Sequence, residues 1–204
     1  PPVFWHMLFK FLQGDIDNQT LGLPASNVKA HLSIEIPKQA NPAESSLSLL
    51  LSLPDAPLAV RNQFIPNVVG PEIVNWMDES IKQGDAKHAI FVLKTRLGPA
   101  VNNASTTQLA LQFDNASLQY APEWPLAEKL SGNLLLNTPA LDIWLANGES
   151  LGGELISNSG RVTLRSKGKH TELNVTARLE GKTVEALRYF TETPLQEMVG
   201  NAFD

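Results

Sequence analysis

Apolar and polar residues alternate along much of this chain with a period of two. Between residues 28 and 36, Ala30, Leu32 and Ile34 share one side of an extended strand, while His31 and Ser33 share the other. Successive side chains of a β-strand point to opposite faces, so this alternation predicts antiparallel strands with one dry and one wet face. Further alternating runs lie at residues 47–53, 109–113, 141–145 and 172–179. The pattern and its turn signals predict about nine to eleven strands.

The apolar positions of the C-terminal runs form the candidate inner surface of this sheet. Full burial of one such side chain is worth about 1.5–3 kcal/mol, so leaving the whole set in water would cost on the order of 20–40 kcal/mol. That exceeds the stability of a whole domain. Either the sheet curls on itself as a sandwich or barrel, or it cups an apolar ligand such as lipid acyl chains. The candidates are Leu109, Leu111, Phe113, Leu134, Leu136, Leu141, Ile143, Leu145, Val162, Leu164, Leu173, Val175, Ala177 and Leu179.

Three short helices and one hairpin complete the predicted elements. The first helix, over residues 71–83, has a proline in its first turn and Gly84 as its stop signal, and it is inserted between strands. A second helix is predicted over residues 183–190. Thr193 begins a Thr-Pro-Leu-Gln capping box, which predicts a third helix immediately after it. Residues 166–169 separate two alternating runs and predict a β-hairpin.

Composition and charge exclude several classes of protein. The chain has 204 residues, no cysteine and a net charge of −5. An acidic balance argues against nucleic-acid binding, which draws its affinity from phosphate neutralisation. Without cysteine there are no disulfides, no thiol catalysis and no Cys-based metal site. No run of eighteen apolar residues occurs, so no segment of this sequence is predicted to span a membrane.

A search for catalytic or metal-binding patterns favours a protein that is not an enzyme and needs no cofactor. The histidines His6, His31, His88 and His170 are far apart and never at metal-ligand spacing. Neither a Gly-x-Ser-x-Gly elbow nor a P-loop occurs. We therefore expect no catalytic residues and no metal site.

Four basic residues and one tryptophan remain as candidates for ligand contacts. Arg161, Arg165, Lys167 and Lys169 share one strand face around the predicted hairpin. They could contact a phosphate or lipid headgroup, or they could form a charged edge that discourages strand aggregation, which is the favoured interpretation. Trp144 is predicted on the face opposite its apolar neighbours, against a helix or solvent.

Several short motifs, in order, resemble YhdP-type proteins of the AsmA-like family. They are Phe64-Ile-Pro66, the predicted helix with Trp76, Pro122-Glu-Trp-Pro125 and Thr193-Pro-Leu195. The resemblance is close from Phe64 to the C-terminus and loose over the first sixty residues. One departure is Gly98-Pro-Ala-Val101, where the family usually has Phe-Pro-Phe or Phe-Pro-Tyr. The family is similar to TamB and to chorein-type bridge proteins that carry lipids.

The resemblance implies an elongated, twisted antiparallel β-sheet that forms an apolar groove, with two or three short helices. It implies that residues 1–204 are a single β-rich segment of a longer periplasmic protein, anchored to the inner membrane through a segment outside this sequence. It also implies passage of phospholipid between inner and outer membranes and carries over no catalytic residue. About ten strands at about 4.8 Å spacing reach only some 45–50 Å, so the segment would be one section of a longer conduit.

The leading hypothesis is a non-enzymatic segment of a lipid-transfer bridge, and the alternative is a structural or interaction module. As a bridge segment, the chain would contact phospholipid acyl chains directly and both membranes through the full-length protein. As a module, it would be a closed β-sandwich in a cell-envelope assembly protein. Exposed sheet edges additionally predict that the piece self-associates. No nucleic-acid partner is expected.

Overall fold

The chain folds mainly into β-strands. The computed structural model describes residues 4–9, 14–15, 27–37, 45–53, 55–58, 75, 78–97, 105–167 and 170–199. The strands of these residues are β1 (Phe4–Phe9), β2 (Gly14–Asp15), β3 (Asn27–Pro37), β4 (Ser45–Leu53), β5 (Ala56–Pro57), β6 (Ile81–Leu97), β7 (Thr106–Leu118), β8 (Ala127–Asn137), β9 (Ala140–Ser150), β10 (Gly153–Leu155), β11 (Gly160–Lys167), β12 (His170–Thr176) and β13 (Leu179–Glu180).

The strands belong to one open sheet. Its main path runs β1-β3-β4-β6-β7-β8-β9-β10-β13, with β2, β5, β11 and β12 paired beside it. Among the described residues, no pairing joins β1 to β13, so the path does not close on itself. The prediction of a mainly β, antiparallel fold is confirmed, and the closed sandwich is not the structure observed. The described residues form 13 strands, more than predicted, because β2, β5 and β13 are only two residues long.

The chain divides into two compact units. The first unit consists of Pro1–Ala56, Lys87–Leu111 and Leu134–Leu141. In this unit β1, β3, β4 and β6 pair antiparallel: Met7 lies opposite Ile34, Ile34 opposite Leu47, and Leu47 opposite Thr95. Residues opposite each other in an antiparallel pair share a face of the sheet. The register therefore aligns the alternating runs of neighbouring strands.

The second unit consists of Pro57–Ala86, Gln112–Asn133 and Asp142–Asp204. Here β9 pairs with both β10 and β11, and β11 pairs with β12. The β11–β12 register runs from Arg161 opposite Thr176 to Lys167 opposite His170, which confirms the predicted hairpin. The chain changes its pairing partner after this hairpin. β13 follows β12 in the sequence, but it pairs with β10 and not with β11.

The predicted helix over residues 71–83 ends earlier than expected. Within it the structure describes Asn75 and residues 78–80 as helical, and β6 begins at Ile81, so the predicted end at Gln83 is corrected. Gly84 lies inside β6 with φ +134°, and a Cβ there would stand 2.7 Å from Cα of Ala116. Glycine is thus required by a close approach of β6 to β7, not by a helix stop.

The two C-terminal helices are confirmed. One runs Thr183–Thr191 and the other Leu195–Val199. Between them the Thr193 hydroxyl accepts a hydrogen bond from the Leu195 amide at 3.2 Å, and the Gln196 amide donates to the Thr193 carbonyl at 3.0 Å. Thr193 therefore caps the last helix, as its capping-box pattern indicated.

The core of the described residues is shallow. Its buried apolar side chains are Ala89, Phe91, Phe113, Ala116 and Leu130, and no described large side chain is completely shielded from solvent. A closed sandwich of this length would place many large aliphatic residues fully inside. Most apolar side chains of the sheet are instead half-buried, as expected where a face lacks a complete covering layer.

Candidate functional site

An apolar face on strands β3, β4 and β6 is the clearest candidate surface of the first unit. Leu32 lies opposite Leu49, and Leu49 lies opposite Leu93, so three leucines form one row across the strands. Opposed residues have Cβ atoms about 4.5–5.5 Å apart, so such a row is a continuous apolar strip. Two parallel rows accompany it. We call this surface the β3–β4–β6 face; its apolar members are Ala30, Leu32, Ile34, Leu47, Leu49, Leu51, Phe91 and Leu93, and Thr95 completes the row of Ile34 and Leu47.

The reverse side of the same three strands is mainly polar. Ser33 lies opposite Ser48 and Ser48 opposite Lys94, one residue away from the leucine row on each strand. Near the end of the strands the Ser46 hydroxyl donates to the Glu35 carboxylate at 3.4 Å. The alternation seen in the sequence thus survives across three strands because the register keeps the two sets in phase.

The β3–β4–β6 face is only partly shielded from solvent. Phe91 is buried, whereas Leu32, Leu49 and Leu93 are half-buried. A row of half-buried leucines without any charged member suits a flexible apolar ligand better than a directional polar one. The alternating runs of this face are visible in the sequence, but none of its residues is among the predicted lipid contacts, which come from the C-terminal runs. Serines alternate with the apolar residues on both β3 and β4, and Ser33 lies opposite Ser48. This shared pattern was the sequence signal that could have indicated a common apolar face.

Five predicted candidates lie in the first unit. Gln108 donates to the Asn137 side chain at 3.2 Å, so these two residues share a face. The odd-numbered apolar residues of β7 and the even-numbered ones of β8 consequently share the opposite face. The two-residue turn at 138–139 joins β8 to β9, which brings Leu141, the second residue of β9, to that same face. These five are Leu109, Leu111, Leu134, Leu136 and Leu141.

Six further candidates share one face in the second unit. Val162 lies opposite Val175 and Leu164 opposite Leu173. A Cβ at Gly160 would stand 2.7 Å from Cβ of Leu145, so the even-numbered positions of β11 face the odd-numbered positions of β9. The six are Ile143, Leu145, Val162, Leu164, Leu173 and Val175. Whether these residues or the five of the first unit line a ligand path remains a prediction.

Three predicted candidates have different surroundings. Phe113 is 8% exposed and belongs to the core, where its ring would stand 3.1 Å from a Cβ at Gly132. Ala177 lies after the end of β12, and Leu179 belongs to β13, opposite Leu155 of β10. The alternating run 172–179 is therefore not one strand. Its last two apolar positions do not continue the row that Leu173 and Val175 begin.

The basic cluster is tied to an acidic residue. Arg165 and Arg161 both contact the Asp142 carboxylate, with nitrogen–oxygen distances of 2.6 and 3.2 Å. The hydrogen bond from Arg165, assisted by that from Arg161, holds the pKa of Asp142 below its ordinary value although partial burial opposes the shift. The Arg161 guanidinium also lies over the Trp144 ring, 5.6 Å from its centroid. Lys169 lies outside the described residues.

The contacts of Asp142 and Trp144 with the two arginines show which face of β9 and β11 carries the charged side chains. Trp144 and Asp142 lie on the side opposite Ile143, as the sequence predicted for Trp144. The carboxylate partly offsets the charge of both arginines, so the pair is a poor free site for a headgroup phosphate. β11 pairs with both β9 and β12, so Arg161 and Arg165 do not lie on an edge strand, and the favoured interpretation of a charged edge is wrong for these two residues. Their contacts with Asp142 connect β9 to β11.

Two searches of the described residues concern metal ligands and membrane-spanning helices. No group of three His, Asp or Glu side chains there lies close enough to hold a metal ion. Within the same residues, no helix combines the length and apolarity that crossing a membrane requires.

The family comparison agrees with the resemblance found in the sequence. The chain matches the family model described as YhdP protein over residues 9–204, which includes β2 to β13 and both C-terminal helices. Neither the curated proteins nor the solved structures contain a match to this chain.

Proposed function

The chain belongs to the YhdP family, and from that premise we propose that it is a non-enzymatic segment of a periplasmic bridge that carries phospholipid between the inner and outer membranes. The full-length protein would be anchored to the inner membrane. Within this segment, the acyl chains would lie on apolar faces of the sheet and the headgroups would stay in water. The β3–β4–β6 face supplies the best-defined stretch of such a surface.

The observation that carries this proposal is the leucine row Leu32–Leu49–Leu93, backed by the polar row Ser33–Ser48–Lys94. A sheet that is apolar on one side and polar on the other separates acyl chains from water across its thickness. The apolar side is half-buried and its described core has no fully shielded large side chain. Contact with acyl chains would remove the remaining apolar area from water at about 25 cal/mol per Å².

Transport along such a face needs no chemical step. Hydrophobic contact is non-directional and scales with area, so a methylene chain can move along a strip of leucines with little change in free energy. A polar or charged ligand would instead require several fixed donors and acceptors. The three rows of the β3–β4–β6 face hold one polar side chain, Thr95, and its hydroxyl donates to the Arg96 carbonyl at 3.3 Å. The β3–β4–β6 face would therefore bind acyl chains in preference to polar ligands.

A pair of adjacent leucines provides a matched test. Leu49 belongs to the β3–β4–β6 face, whereas Leu50 lies on the reverse side, opposite Val92, and is 43% exposed. A photoreactive residue placed at each position in turn differs only in the side of the sheet it samples. We expect phospholipid to be crosslinked at position 49 and not at position 50, measured by mass spectrometry of the irradiated protein from cells.

Equal lipid capture at both positions, or capture at position 50 alone, would contradict the proposal. The melting temperature of each variant serves as the control for folding. One observation favours the alternative of an interaction module: Leu50 and Ile90, both on the reverse side, are 43% and 47% exposed. Protein crosslinks at position 50 without lipid at position 49 would support that alternative.

A further inference from the structure

Among the described residues, no strand pairs with the outer edge of β12. Within the described residues β12 pairs with β11 and with no other strand. Residues 174–180 are all exposed, and Val175 is 62% exposed although it lies opposite Val162 of β11. Its exposure agrees with the pairing of the described strands, in which β12 has a neighbour on one side only. We call the residues His170–Thr176 with their outward backbone groups the β12 edge.

The β12 edge lacks the features that usually block strand addition. Natural sheets protect their edges with lysine, proline, bulges or inward charges. The sequence His-Thr-Glu-Leu-Asn-Val-Thr contains neither lysine, arginine nor proline, and Glu172 is its only acidic residue. Glu172 lies opposite Arg165 within the hairpin, so its charge is partly offset. The edge is therefore competent to accept another strand.

The hairpin register fixes which residues of β12 direct their backbone groups outward. Two residues separate the opposed pair Lys167 and His170. A two-residue hairpin closes with a hydrogen-bonded pair, and hydrogen-bonded and non-hydrogen-bonded pairs then alternate along the ladder. His170 and the residues in step with it thus bond to β11. Thr171, Leu173 and Val175 present their N–H and C=O groups to a new strand.

A second copy of β12 fits this edge. We propose that two molecules pair antiparallel through their β12 edges about a twofold axis at Leu173. All seven residues of β12 then overlap, and the three outward residues become hydrogen-bonded pairs. Leu173 faces its own counterpart, Val175 faces Thr171, and Glu172 faces Asn174. An axis at Glu172 would oppose two carboxylates and is disfavoured.

This pairing would extend the apolar rows that β11 and β12 share and does not depend on lipid being bound. Apolar residues meet apolar or methyl-bearing ones on one face, and polar residues meet on the other. Because only one short strand contributes from each molecule, the buried area falls below that of standard stable interfaces. The dimer is therefore weak and dissociates on dilution.

The first experiment locates the axis. The chain has no cysteine, so single spin labels can be attached through Thr171→Cys, Leu173→Cys and Val175→Cys in the 204-residue chain. We expect the shortest distance between labels at position 173 and equal, longer distances at 171 and 175. Each residue away from the axis adds about 7 Å along the strands, since both copies move by about 3.4 Å.

The second experiment tests the interface by charge. Leu173→Lys would oppose two ammonium groups at the axis, while Leu187→Lys, on the helix Thr183–Thr191, serves as the exposed control at 44%. Sedimentation from about 1 µM to about 1 mM spans the range of weak association. We expect dimers of the natural chain and of the Leu187→Lys variant, and monomers of the Leu173→Lys variant.

Three results would overturn the proposal. The natural chain could remain monomeric at every concentration, the shortest label distance could fall away from position 173, or Leu173→Lys could dimerise like its control. Labels on β1 that approach each other while those on β12 stay apart would place the interface at the other edge. The distances between spin labels report the position of the twofold axis directly. They therefore test the proposed pairing even if the Leu173→Lys variant folds poorly.

Discussion

Arg165 donates hydrogen bonds from Nη2 to both carboxylate oxygens of Asp142, at 2.6 and 2.7 Å, and so ties β11 to β9. The Asp142 side chain is only 16% exposed. Charge-assisted hydrogen bonds of this kind are stronger than neutral ones and hold a defined geometry. The arginine that could have served a lipid headgroup is thus engaged within the sheet, on the side away from Ile143.

The tie between Asp142 and Arg165 predicts a pH-dependent contribution to stability. Because the pKa of Asp142 is lowered in the folded chain, first by Arg165 and then by Arg161, its contribution is fully present above the unfolded pKa of about 3.9 and is lost as pH falls through the folded value. The melting temperature of Asp142→Asn should be below that of the natural chain near neutral pH, and the two should converge below about pH 4.

Lys129 and Glu149 offer a control for the Asp142 experiment. They form a surface pair at 2.9 Å in which the lysine is 71% exposed. Exposed pairs contribute little to stability, so Lys129→Gln should change the melting temperature much less than Asp142→Asn at neutral pH. A constant difference between Asp142→Asn and the natural chain at every pH would show that the substitution acts through packing alone.

At Gly132, the addition of a single methyl group should lower the stability of the fold. A Cβ there would collide with the Trp144 carbonyl oxygen and stand 3.1 Å from the Phe113 ring. Overpacking of a filled site costs about 1–3 kcal/mol, and about 2–4 °C of melting temperature accompanies each kcal/mol at this chain length. Gly132→Ala should therefore lower the melting temperature by several degrees, measured by circular dichroism.

Gly153 is the matched control for Gly132. It is also buried, but its nearest neighbour, the Ser150 carbonyl oxygen, would stand 3.5 Å from a new Cβ. Gly153→Ala should leave the melting temperature nearly unchanged. Equal losses for the two variants would contradict the role given to the close approach of β8 to β9, because the reduced chain entropy of alanine stabilises the folded state in both variants.

Removal of the Thr193 hydroxyl should destabilise the start of the last helix. Its side chain is buried, its hydroxyl donates to the Tyr189 carbonyl, and it accepts from the Leu195 amide. Loss of such a cap costs about 1 kcal/mol. Thr193→Val, which keeps the shape, should speed hydrogen exchange at the Leu195 amide, while Thr193→Ser should preserve protection. Similar exchange in both variants would exclude the hydroxyl as the stabilising group.

The mainly β fold followed from the alternation because a period of two needs only local information. The same alternation predicted that Trp144 lies opposite Ile143, and the contact with Arg161 confirms that face. The capping box at Thr193 likewise depends on four adjacent residues. These features were readable because each is settled within one strand or one helix turn.

Features set by a neighbouring strand could not be read in the same way. Gly84 was interpreted as a helix stop, but its role depends on the distance between β6 and Ala116 of β7. The run through Leu179 resembled one strand, yet β13 pairs with β10. Phe113 shared the period of its neighbours, although its burial comes from the glycine of the adjacent strand. Periodicity assigns a face but does not show what covers that face.

The position of Val175 allows the proposed lipid contacts of the second unit to be tested without unfolding the chain. Val175 is 62% exposed, so Val175→Asp should change the melting temperature little, whereas Phe113→Asp would bury a charge in the core and should unfold the chain. Val162 lies opposite Val175. A photoreactive residue at Val162 therefore samples the surface that the new carboxylate would make polar.

We expect Val175→Asp to reduce phospholipid crosslinking from position 162, because acyl chains avoid a charge at contact distance. Asn174→Asp is the matched control, since it places the same carboxylate one residue away on the exposed opposite face of β12. It should leave crosslinking intact. If both variants reduce crosslinking equally, charge acts at long range rather than on the face. If neither reduces it, or position 162 captures no lipid at all, Val162 and Val175 do not line a lipid path and the assignment of this face is wrong.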